Sequence, residues 1–586
     1  MLSSSLVPGP NFPSAVKGTD MTSVWRCIAM SWGLLALMVG SVAAEASTAS
    51  AEPVSDPIVT LIDEQIRAAW TDQKLSPSKP APHGAWARRV YLDLLGRIPT
   101  VAEASDYATD RSENKREQLV DRLLGKEYRV EYARNMTTIW TNLLVGRTGG
   151  ANNDSFVDRS GMQQYLRRAF QKNRPFDQMM EELVTAKGSC RPGDRDFDGA
   201  ANFLADKMAE NGIQATAQTA KLFLGTAVQC TQCHNHPFNE YKQNQFWELN
   251  AFFRQTKIER VPVGDNRRVA RVLARDFRGE GGDPRKAEIY YELRNGKLKV
   301  AYPVFIDGTA LADIYAEKGE DFGDRGYLSD IDRRQELATL IRASEEFPKA
   351  IVNRLWGHFF GYGLTKPVDD MGPHNPASHP ELLDQLGLKF RESSFNLKGM
   401  MRAIVLSEAY SLDSRANRSN KQDDPTLGTK PMFTHFYLRQ LTAEQLYESL
   451  LVATKADEGV SYDERERTKQ RWLAQFNTAF GDDENNESTT FNGSIPQVLM
   501  MMNGQLIKQA TSNEKSGMLY NVAWDSSLSN SDKINHLYIA ALARKPDRNE
   551  LAVCNQLLAA REGNVPAALQ DVWWALLNSN EFILNH

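Results

Sequence analysis

Apolar residues three and four apart recur along most of this chain, which is the spacing an α-helix needs to bury one face. The pattern runs through GAWARRVYLDLLGRIPTVAEA, REQLVDRLLG, VEYARNMTTIWTNLLVG and GIQATAQTAKLFLGTAVQC, between about Val59 and Gln255. In the last of these, Ile213, Ala217, Ala220, Leu224, Ala227 and Val228 share one stripe, and the spacing predicts a helix that delivers Cys230. The punctuation agrees: one helix ends near Gly96, Pro99 lies just beyond it, and Thr100 with Glu103 forms a capping box for the next. From Asp332 the period resumes in RRQELATLIRA, FPKAIVNRLWGHFFG, HPELLDQLGLKF and LKGMMRAIVLSEAY, where Ser378 and Glu381 predict a second capping box.

Residues 257 to about 325 break the pattern. They are rich in Arg, Gly and Asp, and IYYELR, Asn295-Gly296 and KLKVAY read as a hairpin with a type I′ turn. The expected fold is mainly α: two helical domains, 55–256 and 326–586, joined by a small β-hairpin-containing insert at 257–325. The stretch 455–494, with its DDENNES run, is expected to be a solvated loop. No repeat of fixed period is present, and 586 residues are too many for one ordinary core.

The N-terminus bears on the compartment. Arg26 precedes CIAMSWGLLALMVGSVAAEA, an apolar run followed by small residues, as in a secretory signal peptide. Residues 1–46 are therefore expected to be a signal, cleaved after Ala44 or Ala46, with Met21 a second candidate start. Left uncleaved, the run is at the lower limit for spanning a bilayer and would be the only membrane contact. The expected location is the periplasm or the exterior. Of five cysteines, Cys27 lies in this segment, leaving Cys190, Cys230, Cys233 and Cys554, too few for a disulfide scaffold. A net charge of -5 carries no basic footprint, which sets nucleic acid aside as a partner.

Residues 229–239 read QCTQCHNHPFN, and Cys230, Cys233 and His234 match the C-x-x-C-H pattern of c-type haem attachment. Two thiols one helical turn apart reach the two vinyl groups of one porphyrin edge, and the next residue turns an imidazole under the iron. Covalent attachment retains the cofactor outside the cell without a deep pocket. Three other readings stay open: Cys230, Cys233, His234 and His236 hold zinc or another metal, the two cysteines form a disulfide, or the match is chance. His236 is too near His234 to be the opposite axial ligand of the same iron.

A second polar concentration is GHFFGYGLTKPVDDMGPHNPASHPELLD, where His358, Asp369, Asp370, His374 and His379 could form a metal or acid–base site, or simply cap turns. Adjacent aspartates diverge on either a helix or a strand, so Asp369 and Asp370 are a poor dyad. Asp194, Asp196, Asp198 and Gly199 begin like a calcium loop, but Ala205 stands where its final Glu belongs, so an acidic turn is the better expectation. Met500, Met501 and Met502 could supply a distal iron ligand, though methionine runs are usually core filler.

The longer stretches resemble a known family. QCTQCHNHPFNEYKQNQFWELNAFF, ARRVYLDLLGRIPT and LVDRLLGKEYRVEYARNMTTIW resemble domain of unknown function 1549 of the planctomycete cytochrome-associated type. AIVNRLWGHFFGYGLTKPVDDMGPHNPASHPELLD and WWALLNSNEFILNH resemble domain of unknown function 1553, its usual C-terminal partner. One departure is TTIWTNLLVG around Asn142, where a more acidic helix is expected. The resemblance implies a secreted, mostly helical protein, encoded beside other exported proteins, with no established activity.

Together these features give an expectation: an exported protein with haem c on Cys230, Cys233 and His234, serving extracytoplasmic electron transfer or a haem-dependent redox step. Its partner would be an unidentified redox protein or another exported protein. The alternative is a non-redox secreted binding or scaffold protein, linked to polysaccharide breakdown, with zinc, another metal or a disulfide at the motif. A third is a hydrolase using the cluster at 358–379, which requires those side chains to converge.

Overall fold

The computed structural model describes residues 56–147, 155–263, 267–275, 289–319, 331–455, 464, 467–473, 505–512 and 517–586. The expected signal at 1–46, most of the 455–494 stretch and the three methionines at 500–502 lie outside them. Helix makes up 59% of the structure and the sheets have only two or three strands, so the fold is mainly α.

The helix α1 (His83–Leu95) ends at Gly96, whose N–H donates to Leu92 O at 3.0 Å. The Thr100–Glu103 box forms as expected: Glu103 N donates to Thr100 Oγ1 (3.2 Å) and Thr100 N to Glu103 Oε2 (2.7 Å). Unlike an ordinary amphipathic helix, α1 is buried at every position from Trp86 to Leu95. Its polar side chains therefore need internal partners. Arg88 donates to Phe582 O (2.6 Å) and Leu584 O (3.0 Å). Arg89 donates to Tyr410 O, to Leu412 O (3.0 Å) and to His586 O (3.2 Å). Asp93 pairs with Arg439 and accepts from Tyr410 Oη (2.7 Å) and Asn585 Nδ2 (2.8 Å).

One hydrophobic core extends from Ile62 to Tyr437 and takes side chains from the helical stretches on both sides of the insert. A second gathers the C-terminal helices around Trp573, with Leu92 and Ile98 from the N-terminal part. Residues 55–586 form one compact unit. The helices α2 (Ile213–Phe223) and α3 (Gln243–Asn250) flank the cysteine motif.

Two antiparallel hairpins follow. Strand β1 (Thr256–Val263) pairs with β2 (Arg267–Ala274) in the register Ile258↔Val272, and the short strand Gly188–Ser189 adds to β2. Strand β3 (Ile289–Glu292) pairs with β4 (Leu298–Ala301), which is the hairpin expected from the Asn-Gly signal. Its turn differs from expectation. Gly296 N donates to Leu293 O (2.8 Å), Leu293 N to Lys297 O (2.9 Å), and of the central residues only Gly296 has positive φ. A type I′ turn needs positive φ at both centres, so this is the longer loop with one left-handed glycine.

Further on, the helix α4 (Glu346–Phe360) packs against α2 and against α5 (Pro380–Glu392). The second capping box does not form. Pro380 takes the first helical position, His379 becomes the N-cap, and Glu381 falls one residue short of where a box needs it. Strand β5 (Arg439–Gln440) pairs with β6 (Leu584–Asn585) and presents the last residues to α1.

Candidate functional site

The motif is carried by a loop rather than by the expected helix. The stripe Ile213, Ala217, Ala220 and Leu224 is buried, but α2 stops at Phe223. Gly225 then turns the chain at φ +60°, and its carbonyl accepts from Met371 N at 2.7 Å. A Cβ there would stand 2.5 Å from Met371 Cε, so glycine suits both the conformation and the close approach.

Residues Gln229–Gln232 form one 3₁₀ turn. With three residues per turn, positions 230 and 233 fall on the same side. Thr231 points the other way, fully buried, with its hydroxyl donating to Val228 O at 2.6 Å. The Gln232 carbonyl accepts from Trp247 Nε1 (3.1 Å) and Gln243 Nε2 (3.3 Å) of α3. The turn is thus held from behind, and Cys230 and Cys233 are free and exposed. Phe238, 82% exposed, adds an apolar surface beyond them.

The two histidines are in opposite tautomers, fixed by what each faces. His234 Nδ1 lies 2.7 Å from Asn235 O; a carbonyl only accepts, so Nδ1 carries the proton and Nε2 has a free lone pair. His236 Nδ1 accepts from the backbone N–H of Phe238 (3.2 Å) and Asn239 (3.1 Å), so in the neutral ring the proton is on Nε2. His234 is prepared as a ligand through Nε2, and His236 as a hydrogen-bond donor. Among the described residues no three His, Cys, Asp or Glu side chains converge as a metal site.

The loop 369–375 docks beside this motif. The His374 ring centroid is 6.1 Å from that of His236, and His374 Nε2 is 3.0 Å from Asp370 Oδ1. Asp369 turns elsewhere, toward Lys221 of α2 (3.3 Å) and Arg354 of α4 (3.4 Å), so the two aspartates diverge as expected. The remaining members of the cluster are dispersed. His358 is half-buried with Nε2 3.1 Å from Asp93 O, and desolvation pushes its pKa down. His379 holds Nδ1 at 2.9 Å from Ser378 Oγ and faces Phe433. The five residues do not meet in one place, which removes the hydrolase reading.

Burial lowers the His379 pKa from 6.5 to about 4. A depressed histidine stays neutral in the folded chain while the unfolded chain takes up the proton. Its contribution is present above pH 6.5 and is lost as pH falls toward 4, by about 3 kcal/mol in total. Urea unfolding at a series of pH values should show this slope, and His379→Asn should flatten it.

The acidic turn is also structural. Asp194 accepts from Ser189 Oγ (2.5 Å), Asp196 pairs with Arg271 (2.9 Å), and Asp198 accepts from Lys187 N (3.1 Å) and Ala200 N (3.0 Å). Asn142, the departure noted in the sequence, donates to Glu444 Oε1 (2.9 Å) and accepts from Arg159, a neutral bridge between opposite charges.

Residues 61–258, which include the whole motif, match the family described as "Protein of unknown function (DUF1549)", and residues 333–472 match "Protein of unknown function (DUF1553)". The chain thus carries a DUF1549 region followed by a DUF1553 region. No curated protein and no solved structure matches it. The His236–His374 contact therefore joins the DUF1549 region to the DUF1553 region. Sequence spacing held no signal for that contact, because its two sides are separated by the β hairpins.

Proposed function

We propose that this protein is an exported c-type haem protein acting in extracytoplasmic electron transfer or a haem-dependent redox step. Cys230 and Cys233 would hold the haem covalently, and His234 Nε2 would ligate its iron. Each thiol would add across one vinyl group, sulfur to one carbon and hydrogen to the other, with no leaving group. Bound haem would supply one-electron exchange at its iron.

What carries the reading is the tautomer of His234, set beside two exposed thiols on one side of a 3₁₀ turn. A ligating imidazole donates its other N–H to a carbonyl or carboxylate, which fixes its orientation and raises its basicity. Asn235 O is in that position. His236 lacks the feature, because its Nδ1 already serves two backbone amides. Ligation through its Nε2 would require removing the proton from that nitrogen. This disfavours a four-residue zinc clip.

The two histidines should then respond differently to substitution. His234→Ala should shift the iron-ligation spectrum of the haem-loaded protein while leaving the thioether-bound porphyrin. His236→Asn, whose side-chain oxygen can still accept from the backbone, should preserve that spectrum. Equal loss of a bound metal, without haem, from both variants would support the metal clip instead.

A further inference from the structure

A cavity of about 450 Å³ lies away from the cysteine loop, between the 206–211 segment and the start of β1. That volume suits a small organic molecule. Part of its wall is apolar, from Phe156, Met208, Phe253 and Ile258. The charged lining is Arg254, Lys257 and Arg260 against the single carboxylate of Asp206. Both Asp206 oxygens are engaged, Oδ2 by Ser155 Oγ (2.5 Å) and Oδ1 by Phe156 N (2.7 Å). The cavity is thus cationic on a chain whose net charge is -5.

Arg260 is held against an aromatic ring. The Arg260 guanidinium lies 4.5 Å from the centre of the Phe156 ring, and Arg254 is half-buried, with burial pushing its pKa down. An anion at this point would offset that burial cost. The rim carries strain as well. Glu210 (φ 52°), Asn211 (φ 62°) and Gly212 (φ 81°) are three successive left-handed residues, tied back by Asn250 Nδ2 donating to Asn211 O at 3.1 Å. Each of the two non-glycine residues costs about 1–2 kcal/mol in that conformation. Such strain gathers at ligand clamps, and Asn211 lines the cavity.

We infer that this cavity binds a small organic anion, its apolar body against Phe156 and Ile258 and its carboxylate or phosphate toward Arg254 and Arg260. The inference is independent of haem. A charged hydrogen-bond partner lost from such a site weakens binding by about tenfold or more.

Calorimetric titration of the whole protein with phenyl phosphate, benzoate and phenol tests it. One-to-one saturable binding is expected for at least one of the two anions and not for phenol, and the preferred anion identifies the headgroup. Arg260→Gln, at an exposed position, should weaken that binding by about tenfold at an unchanged melting temperature. Ala209→Trp, on the exposed rim, should block it by filling the mouth. No saturable binding of either anion, equal binding of phenol, or binding unaffected by both folded variants would overturn the inference.

Discussion

Asp93→Ala is expected to lower the unfolding free energy by about 3–5 kcal/mol, the cost of breaking a buried ion pair from one side. Asp93 is fully buried and is the anion shared by Arg439, Tyr410 Oη and Asn585 Nδ2. Without it, the largely buried Arg439 guanidinium loses its carboxylate, and Arg89 loses a nearby compensating charge. The second change distinguishes charge from packing. Asp93→Ala combined with Arg439→Met should be less destabilised than Asp93→Ala alone, because the abandoned cation is removed with it. Urea unfolding followed by tryptophan fluorescence reads both.

Arg89→Met should cost about 3 kcal/mol, from a different cause. Arg89, itself buried, supplies donors to three backbone oxygens, those of Tyr410, Leu412 and His586. Each buried carbonyl left without a donor costs about 1–3 kcal/mol. The guanidinium also lies 3.5 Å from the Phe436 ring centre, a contact methionine only partly replaces. Against these losses stands the relief of no longer burying a charge, which has already pushed the Arg89 pKa down to about 10. The net effect should fall below that of Asp93→Ala, and the two changes together should cost less than their sum. Measured additivity would mean that Arg89 and Asp93 do not belong to one network.

These residues mark where sequence reasoning stops. The period of three and four located the helices, because a one-sided apolar stripe is a local property. It could not register α1 as buried on all sides. Nothing local marks Arg88, Arg89 and Asp93 as buried, because the carbonyl that Arg88 binds at Phe582 is 494 positions away. The hairpin at Asn295-Gly296 was legible and its turn geometry was not, because a glycine serves either turn. Ser378 and Glu381 had the right spacing for a box, and Pro380 moved the helix start past it. The cysteine motif was visible as a pattern. Its placement on a 3₁₀ turn, the opposite tautomers of His234 and His236, and the approach of His374 depend on contacts with α3 and the 369–375 loop.

The central claim is that this turn carries covalently attached haem. The direct measurement is a pyridine haemochrome spectrum of the full chain, made with its N-terminal segment in a host with cytochrome c maturation and stripped of loose haem by acid–acetone. A retained c-type band is predicted, and it should be lost in the Cys230→Ala/Cys233→Ala variant. Absence of the band from the wild-type chain, with a Cys230–Cys233 disulfide or a stoichiometric metal found by mass spectrometry, would contradict the claim and favour the scaffold reading.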